Sequence, residues 1–408
     1  MDITPSINRY KIELKILSPA CVSGSEEISY QSHEYFIHEG RLYFVSTEDI
    51  FNLYEKGIIK EDDLDLEYKE LIDKIMKNAY AKKYLRSARL DMEIANKLEL
   101  KKFGYIKKIN MDEGSHEERP VIFGTTVKGM LRSGYLAYWI HDCHYSYSRT
   151  DSHKLKNQLK LDSVKINHKE IKEDIFADIF DKNQYTVMVN ANSNDKFKEN
   201  WMELEKYNKS HSNQINDAEV IKLIFKNIVC HDLVLKDGEM AIEKIIKFHR
   251  KNNKEKKSNH DIPLYFETPT IGSKFTGEIW YKYDTYNYDK QLSIISIENS
   301  CDENTPVEEC FAGLKKLSQN IINAEYEMLS KTSLGNRMKD FFEQLKKENE
   351  KEDQFVCKTG YAGILSKTLM AFDKTKIKNH DKYLPYTINI AQKDMIPTGW
   401  VKIRYERI

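Results

Sequence analysis

Lys128 and Arg132 stand four residues apart, and Tyr135 and Trp139 follow at +3 and +4. On a helix that spacing lines two cations and two flat rings along one face. Cations pair with phosphates and rings stack on unpaired bases, so the stripe suits a single-stranded sugar–phosphate backbone. Just upstream, Gly124-Thr125-Thr126 reads as a glycine-hydroxyl turn, with Thr125 or Thr126 capping the first amides of the helix. Lys128 holds the position, three residues after Thr125, where a capping box places an acid. A cation there opposes the helix dipole. The mismatch is relieved if an anion binds at the same place, so that free amides, dipole and Lys128 converge on one phosphate. Gly129 and Gly134 each cost about 1 kcal/mol against Ala inside a helix, which close approach of another backbone would offset. Strand, turn, helix and a solvated Lys-Arg pair is the ordinary reading of the same residues.

The other reactive residues are less organised. RNA cleavage without a metal needs a base beside the 2′-OH and an acid at the leaving oxygen, usually His or Lys. The twelve histidines include His141/His144 and His231 beside Asp232, but there is no Walker loop, HExxH or paired-carboxylate motif. His141, Cys143 and His144, with His153 nearby, are the densest potential metal ligands. A lone H-x-C-H lacks the second ligand pair of a structural zinc site, so no metal is expected, nor any cofactor. Cys21, Cys143, Cys230, Cys301, Cys310 and Cys357 form no C-x-x-C pair, which fits a reducing cytoplasm.

The 408-residue chain balances 64 basic against 64 acidic residues. With no global field to attract a polyanion, charged partners must be read from local patches. Residues 74–108 hold eleven Lys or Arg against three acids, and residues 247–258 hold six against one. Such runs suit RNA or subunit contacts and equally suit solvated faces. No apolar run approaches the ~20 residues of a membrane span, so no membrane partner is expected. A chain this long needs two cores, or one core with large inserts.

The elements that must position the stripe are legible from periodicity. Residues 9–17 alternate Tyr10, Ile12, Leu14 and Ile16 on one strand face, and Ser18–Ser25 follows as a loop. Tyr35–Ile37 and Leu42–Val45 read as a hairpin, then a helix capped by Ser46 or Thr47 ends at Gly57. Residues 62–100 read as helical and Phe103–Ile109 as a strand. Val121–Phe123 is the short strand before the stripe. Residues 141–218 form a polar insert with helical pieces near 168–181 and 196–207. Strands are expected at 241–248, 262–268 and 274–281, and the aromatic turn with Tyr281, Tyr283, Tyr286 and Tyr288 favours packing over base stacking. Thr305-Pro306-Val307-Glu308 is a strong helix start. That helix runs to about Leu329, and a charged helix follows over 335–351. A turn at Gly360 and Gly363, a helix to Phe372 and a strand Trp400–Tyr405 close the chain. The order is that of an α+β fold with a loosely repeated split βαβ unit.

The segment FGTTVKGMLRS resembles the glycine–hydroxyl–hydroxyl–hydrophobic–KG–x–hydrophobic–R signature of the RAMP proteins of CRISPR–Cas effector complexes. RYKIELKILSPACVSGS is similar to their first strand and loop. PLYFETPTIGSKFTGEIW and IPTGWVKIRYE resemble the hairpin and closing strand of one RAMP subgroup, and KTGYAGILSKTLM resembles a degraded C-terminal glycine-rich element. The chain departs from the pattern at Phe123, commonly Pro, and at Tyr361-Ala362, between Gly360 and Gly363. The resemblance implies two ferredoxin-like (RRM-like) halves with large helical and polar inserts: 1–218, with inserts at about 58–102 and 141–218, and 219–408. It implies a non-catalytic subunit of the type III-A Csm complex that caps the 3′ end of the crRNA and supports crRNA maturation and antiviral defence. The implied partners are crRNA, the Csm backbone filament, the small subunit and host trimming nucleases. The implied RNA contacts are Gly124, Thr125, Thr126, Lys128, Gly129, Arg132, Gly360, Tyr361, Gly363 and Lys367. A RAMP-type endoribonuclease acting on precursor crRNA, and a scaffold recruiting trimming nucleases, stay open as alternatives.

Overall fold

The strand Ser6–Ile16 places Tyr10, Ile12, Leu14 and Ile16 on one face, each at most 1% exposed, with charged side chains at the positions between. Period-2 burial of this kind makes one face of a sheet a core. In the computed structural model, which describes residues 6–22, 29–30, 34–91, 93–96, 106–107, 119–138, 161–166, 169–170, 187–191, 225–249, 254–255, 264–283, 305–360 and 387–408, this strand lies within a seven-stranded sheet. On one side it pairs with Trp400–Arg407, which pairs with Gln354–Lys358. On the other it pairs with Lys274–Tyr283, followed by Leu233–Asp237 and Val121–Ile122, while Ile228–Cys230 also pairs with Lys274–Tyr283. Every one of these pairings is antiparallel. The closing strand therefore lies beside the opening one, and this sheet draws strands from before and after residue 218.

Two helices cover the apolar face of this sheet. The stripe helix spans Gly124–Tyr138 and the long helix Pro306–Ser330. The long helix starts where the sequence places it: Thr305 and Glu308 form a capping box, with Pro306 in the first turn. Tyr10 ties the cap to the sheet through a 2.5 Å hydrogen bond between its hydroxyl and Thr305 Oγ1. The two helices cross at Gly134 and Gly313. A Cβ on Gly134 would stand 2.3 Å from the Cys310 carbonyl oxygen, and one on Gly313 would stand 1.8 Å from the Gly134 carbonyl oxygen. Contact this close excludes any side chain at either position. The charged helix, Gly335–Glu350, buries Met338, Phe342 and Leu345 against the same core.

A second, ten-stranded sheet is organised on Met240–His249, which pairs with Leu264–Pro269 and Thr387–Ala391 and runs parallel to Ser87–Leu90. The hairpin Tyr35–His38/Arg41–Phe44 extends it through the turn Glu39-Gly40, where both residues have positive φ (48° and 72°). Positive φ at both central positions is the twist-matched two-residue hairpin turn. Glu267, fully buried in this sheet, pairs with Arg86, whose guanidinium lies 3.9 Å from the Phe44 ring centroid.

The α+β class is observed, as are the expected first strand, hairpin, capping box, long helix, charged helix and closing strand. Two expectations need correction. Residues 62–100 are not one helical stretch: after Glu61–Leu64, Tyr68–Lys77 and a short 3-10 turn, Ser87–Leu90 enters the second sheet with Ala88 and Leu90 buried. Within 141–218 the described residues form strands, Leu161–Ile166, Lys169–Glu170 and Val187–Ala191; of the helical piece expected near 168–181 only Lys169 and Glu170 are described, and they lie in a strand. The helical pieces expected at 196–207 and up to Phe372, and Tyr286 and Tyr288, lie outside the described residues. Tyr281 is 2% exposed, in line with packing rather than stacking.

Candidate nucleic-acid interface

The stripe helix begins at Gly124 itself, so Gly124-Thr125-Thr126 is the first helical turn and not a separate loop. Neither threonine is needed as its cap. The Gly124 amide donates to Asp232 Oδ1 at 2.7 Å, and the Thr126 and Val127 amides reach the Phe123 carbonyl oxygen at 2.8 and 3.2 Å. The anion that the helix dipole favours is thus supplied by the chain's own Asp232. This corrects the expectation of free amides converging on a phosphate. Gly124 is buried because its missing Cβ would stand 2.0 Å from the Cys230 carbonyl oxygen, so this glycine serves internal packing.

Lys128 donates to the Ile228 carbonyl oxygen at 2.8 Å. An ammonium has three donors, so the bond anchors the side chain and leaves two for another acceptor. Burial pushes the neighbouring Cys230 thiol up to about 12, against a smaller opposing pull from Lys128. That thiol therefore stays protonated near neutrality.

Thr125 and Gly129 are exposed, and Thr126, Lys128 and Arg132 are half-buried. Thr125, Lys128, Gly129 and Arg132 fall on one side of the helix by their three- and four-residue spacing. The structure brings these four together on the accessible face. A Cβ at Gly129 would meet no atom within 4 Å, so nothing inside the described chain requires glycine there. Tyr135 does not extend the face: it is 3% exposed and packs edge-on against Phe225 at 5.8 Å. Val127, Met130 and Leu131 are buried on the core side, and Trp139 lies outside the described residues. Gly134 does reflect close backbone approach, but to the long helix.

Gly360 has φ +72°, and its missing Cβ faces the Cys21 carbonyl oxygen at 2.3 Å. The described part of the first loop is itself buried: Pro19 accepts from the Gly399 amide at 2.8 Å, and Ser18 Oγ accepts from the Trp400 amide at 2.8 Å. Gly360 therefore packs the glycine turn onto the first loop. Three residues earlier, Cys357 Sγ lies 3.8 Å from Met130 Sδ of the stripe helix, so both features abut one strand. Tyr361, Gly363 and Lys367 lie outside the described residues, as do His141, Cys143, His144 and His153. Among the described residues no helix is long and apolar enough to cross a membrane.

The RAMP superfamily model matches residues 13–358, from inside the first strand to the end of Gln354–Lys358. The chain belongs to the RAMP superfamily. The match spans the stripe helix, whose sequence resembles the RAMP signature, and the strands of its sheet other than Trp400–Arg407, with the first strand covered from Glu13. Among solved structures this RAMP chain is similar to one in the cryo-EM structure of a Csm–crRNA–target RNA ternary complex of a type III-A CRISPR–Cas system. Identity is 12%, over 97% of this chain and 100% of that one, with a TM-score of 0.47. The crystal structure of T. onnurineus Csm5 is similar at 14% identity, over 95% of this chain and 99% of that one, with a TM-score of 0.46. No curated protein matches the chain.

Asp232 is the residue of this region whose role the sequence does not signal. It lies 108 positions from the amide it caps, and no local pattern links the two.

Proposed function

We propose that this RAMP chain is a non-catalytic crRNA-binding subunit of a type III-A CRISPR interference complex. It caps the 3′ end of the guide, abuts the backbone filament and the small subunit, and supports crRNA maturation, with trimming by other nucleases. Membership of the RAMP superfamily and the five sequence blocks that resemble RAMP elements, two of them those of one subgroup, support the assignment. The observation that carries the RNA-binding reading is Gly129, a glycine in the middle of an exposed helix face. It is flanked by Thr125, Lys128 and Arg132 and required by no contact among the described residues. Leaving the position bare lets a ribose–phosphate strand lie against the helix while Lys128 and Arg132 reach its phosphates and Thr125 or Thr126 offers a hydroxyl. Gly124 and Gly360 hold the scaffold in shape. By the family resemblance, Tyr361, Gly363 and Lys367 extend the contact. A backbone grip carries little sequence preference, as a subunit serving many guides requires.

Lys128→Ala with Arg132→Ala tests the assignment. The fold should survive, crRNA affinity should fall, and the log–log salt slope should shrink by about 0.7 for each phosphate no longer gripped. An unchanged slope refutes it. Incubating the purified chain with repeat RNA in EDTA tests the enzymatic alternative: specific cleavage abolished by one His substitution would replace the capping role with precursor processing. Crosslinking RNA in the assembled particle tests the scaffold alternative, which requires little RNA on this chain.

A further inference from the structure

The face of the first sheet turned away from the helices carries Trp280, Arg9, Lys282 and, from the adjoining loop, His231. Along Lys274–Tyr283 the residues Phe275, Ile279 and Tyr281 point into the core, so Trp280 and Lys282 stand on the opposite side. Arg9 is the direct cross-strand partner of Trp280, and its guanidinium carbon lies 4.8 Å from the indole centroid. The His231 ring lies 4.4 Å from the same indole at 61°, and Lys282 Nζ is 5.9 Å away. Glu278, two residues along the strand, accepts the indole N–H at 2.6 Å and fixes the ring. Arg9, Lys282 and His231 are exposed, and Trp280 is half-buried. On the two central strands this face presents Arg9, Lys11, Lys15, Lys274 and Lys282 against Glu13 and Glu278.

We propose that this face is a second contact for single-stranded RNA, with one unpaired base stacked at Trp280 and its flanking phosphates held by Arg9 and Lys282. Indole, guanidinium and imidazole are the flat groups on which splayed bases stack, and a basic surround complements the backbone between them. The ring is held before any ligand arrives, so little rotamer freedom is lost on binding. The two contacts adjoin: Lys128 bonds the Ile228 carbonyl, the next residue Val229 is the cross-strand partner of Trp280, and Asp232, which caps the stripe helix, follows His231. The inference takes its ligand class from the proposed function but not its site.

The test uses the full-length chain, a fluorescein-labelled oligouridine, and an abasic ribose–phosphate chain of equal length. Trp280→Ala should weaken oligouridine binding by about 5- to 150-fold, the range for removing one base stack, and leave abasic binding unchanged. Trp280→Phe should retain most of the affinity. Far-UV circular dichroism and the urea midpoint verify that each variant folds. Unchanged oligouridine affinity in folded Trp280→Ala overturns the proposal, as does an equal loss on both ligands or a wild-type chain that binds neither. Loss of a protein neighbour from the assembled particle with RNA affinity intact overturns it in favour of a protein contact. Lys128→Ala/Arg132→Ala should weaken both ligands alike. If it weakens neither while Trp280→Ala still discriminates between them, the helix-face reading fails and the stacking site stands.

Discussion

Replacing Gly129 with Ala should separate what this helix needs for folding from what it needs for its ligand. A Cβ at residue 129 meets nothing within 4 Å, so the substitution introduces no clash inside the described chain. Glycine in a helix interior is about 1 kcal/mol less favourable than alanine, so Gly129→Ala should stabilise the protein by about that amount. With a urea m-value of about 3 kcal/mol/M, the unfolding midpoint should rise by about 0.3 M at unchanged slope. The same methyl group would stand between Thr125, Lys128 and Arg132, where the proposed phosphate lies. Losing one hydrogen bond to a charged group costs about 1.5–3 kcal/mol, so crRNA affinity should fall at least about tenfold. Urea titration followed by circular dichroism gives the first quantity and fluorescence anisotropy with labelled crRNA the second. A variant that is more stable yet binds as well as the wild type refutes the claim that Gly129 is bare for a ligand. A less stable variant refutes the claim that the face is open.

Other substitutions test the framework that carries this face. Gly313→Ala places a methyl group on the Gly134 carbonyl, where two backbones meet with no flexible side chain to yield, and should destabilise by at least about 1–3 kcal/mol in urea titration. Lys358 and Glu325 pair with side chains 8% and 1% exposed, and Glu325 Oε2 also accepts the Trp400 indole N–H at 3.1 Å. Lys358→Met leaves that carboxylate unpaired and should cost about 3–5 kcal/mol, most of it recovered on adding Glu325→Gln, which keeps an acceptor for the indole. Burial, and secondarily the charge of Glu308, lifts the Glu309 carboxyl from 4.5 to about 7. The folded chain holds that proton more tightly than the unfolded chain, so this group lowers stability as pH rises from about 4.5 through about 7. Glu309→Gln should flatten that fall, as seen in unfolding midpoints measured across the window. An unchanged pH profile would place Glu309 in solvent.

Elements whose signals are short-range are legible in the amino-acid order alone. Alternation at Tyr10, Ile12, Leu14 and Ile16 marks a half-buried strand, Thr305-Pro306-Val307-Glu308 marks a helix start, and the runs Tyr35–Ile37 and Leu42–Val45 mark a hairpin, because backbone sterics and capping bonds act within a few residues. Helix glycines raise close backbone approach at both Gly129 and Gly134, and among the described residues it occurs only at Gly134. Which distant group answers each demand is settled by the folded chain. Asp232 fills the helix start that Thr125 and Thr126 are spaced to cap, the Cys230 backbone requires Gly124, and the long helix requires Gly134. Residues 87–90 become a strand because Met240–His249 offers them an edge, and Tyr135 leaves the cationic stripe because Phe225 and the core receive it. In each case the deciding partner is remote along the chain, and the local pattern carries no trace of it.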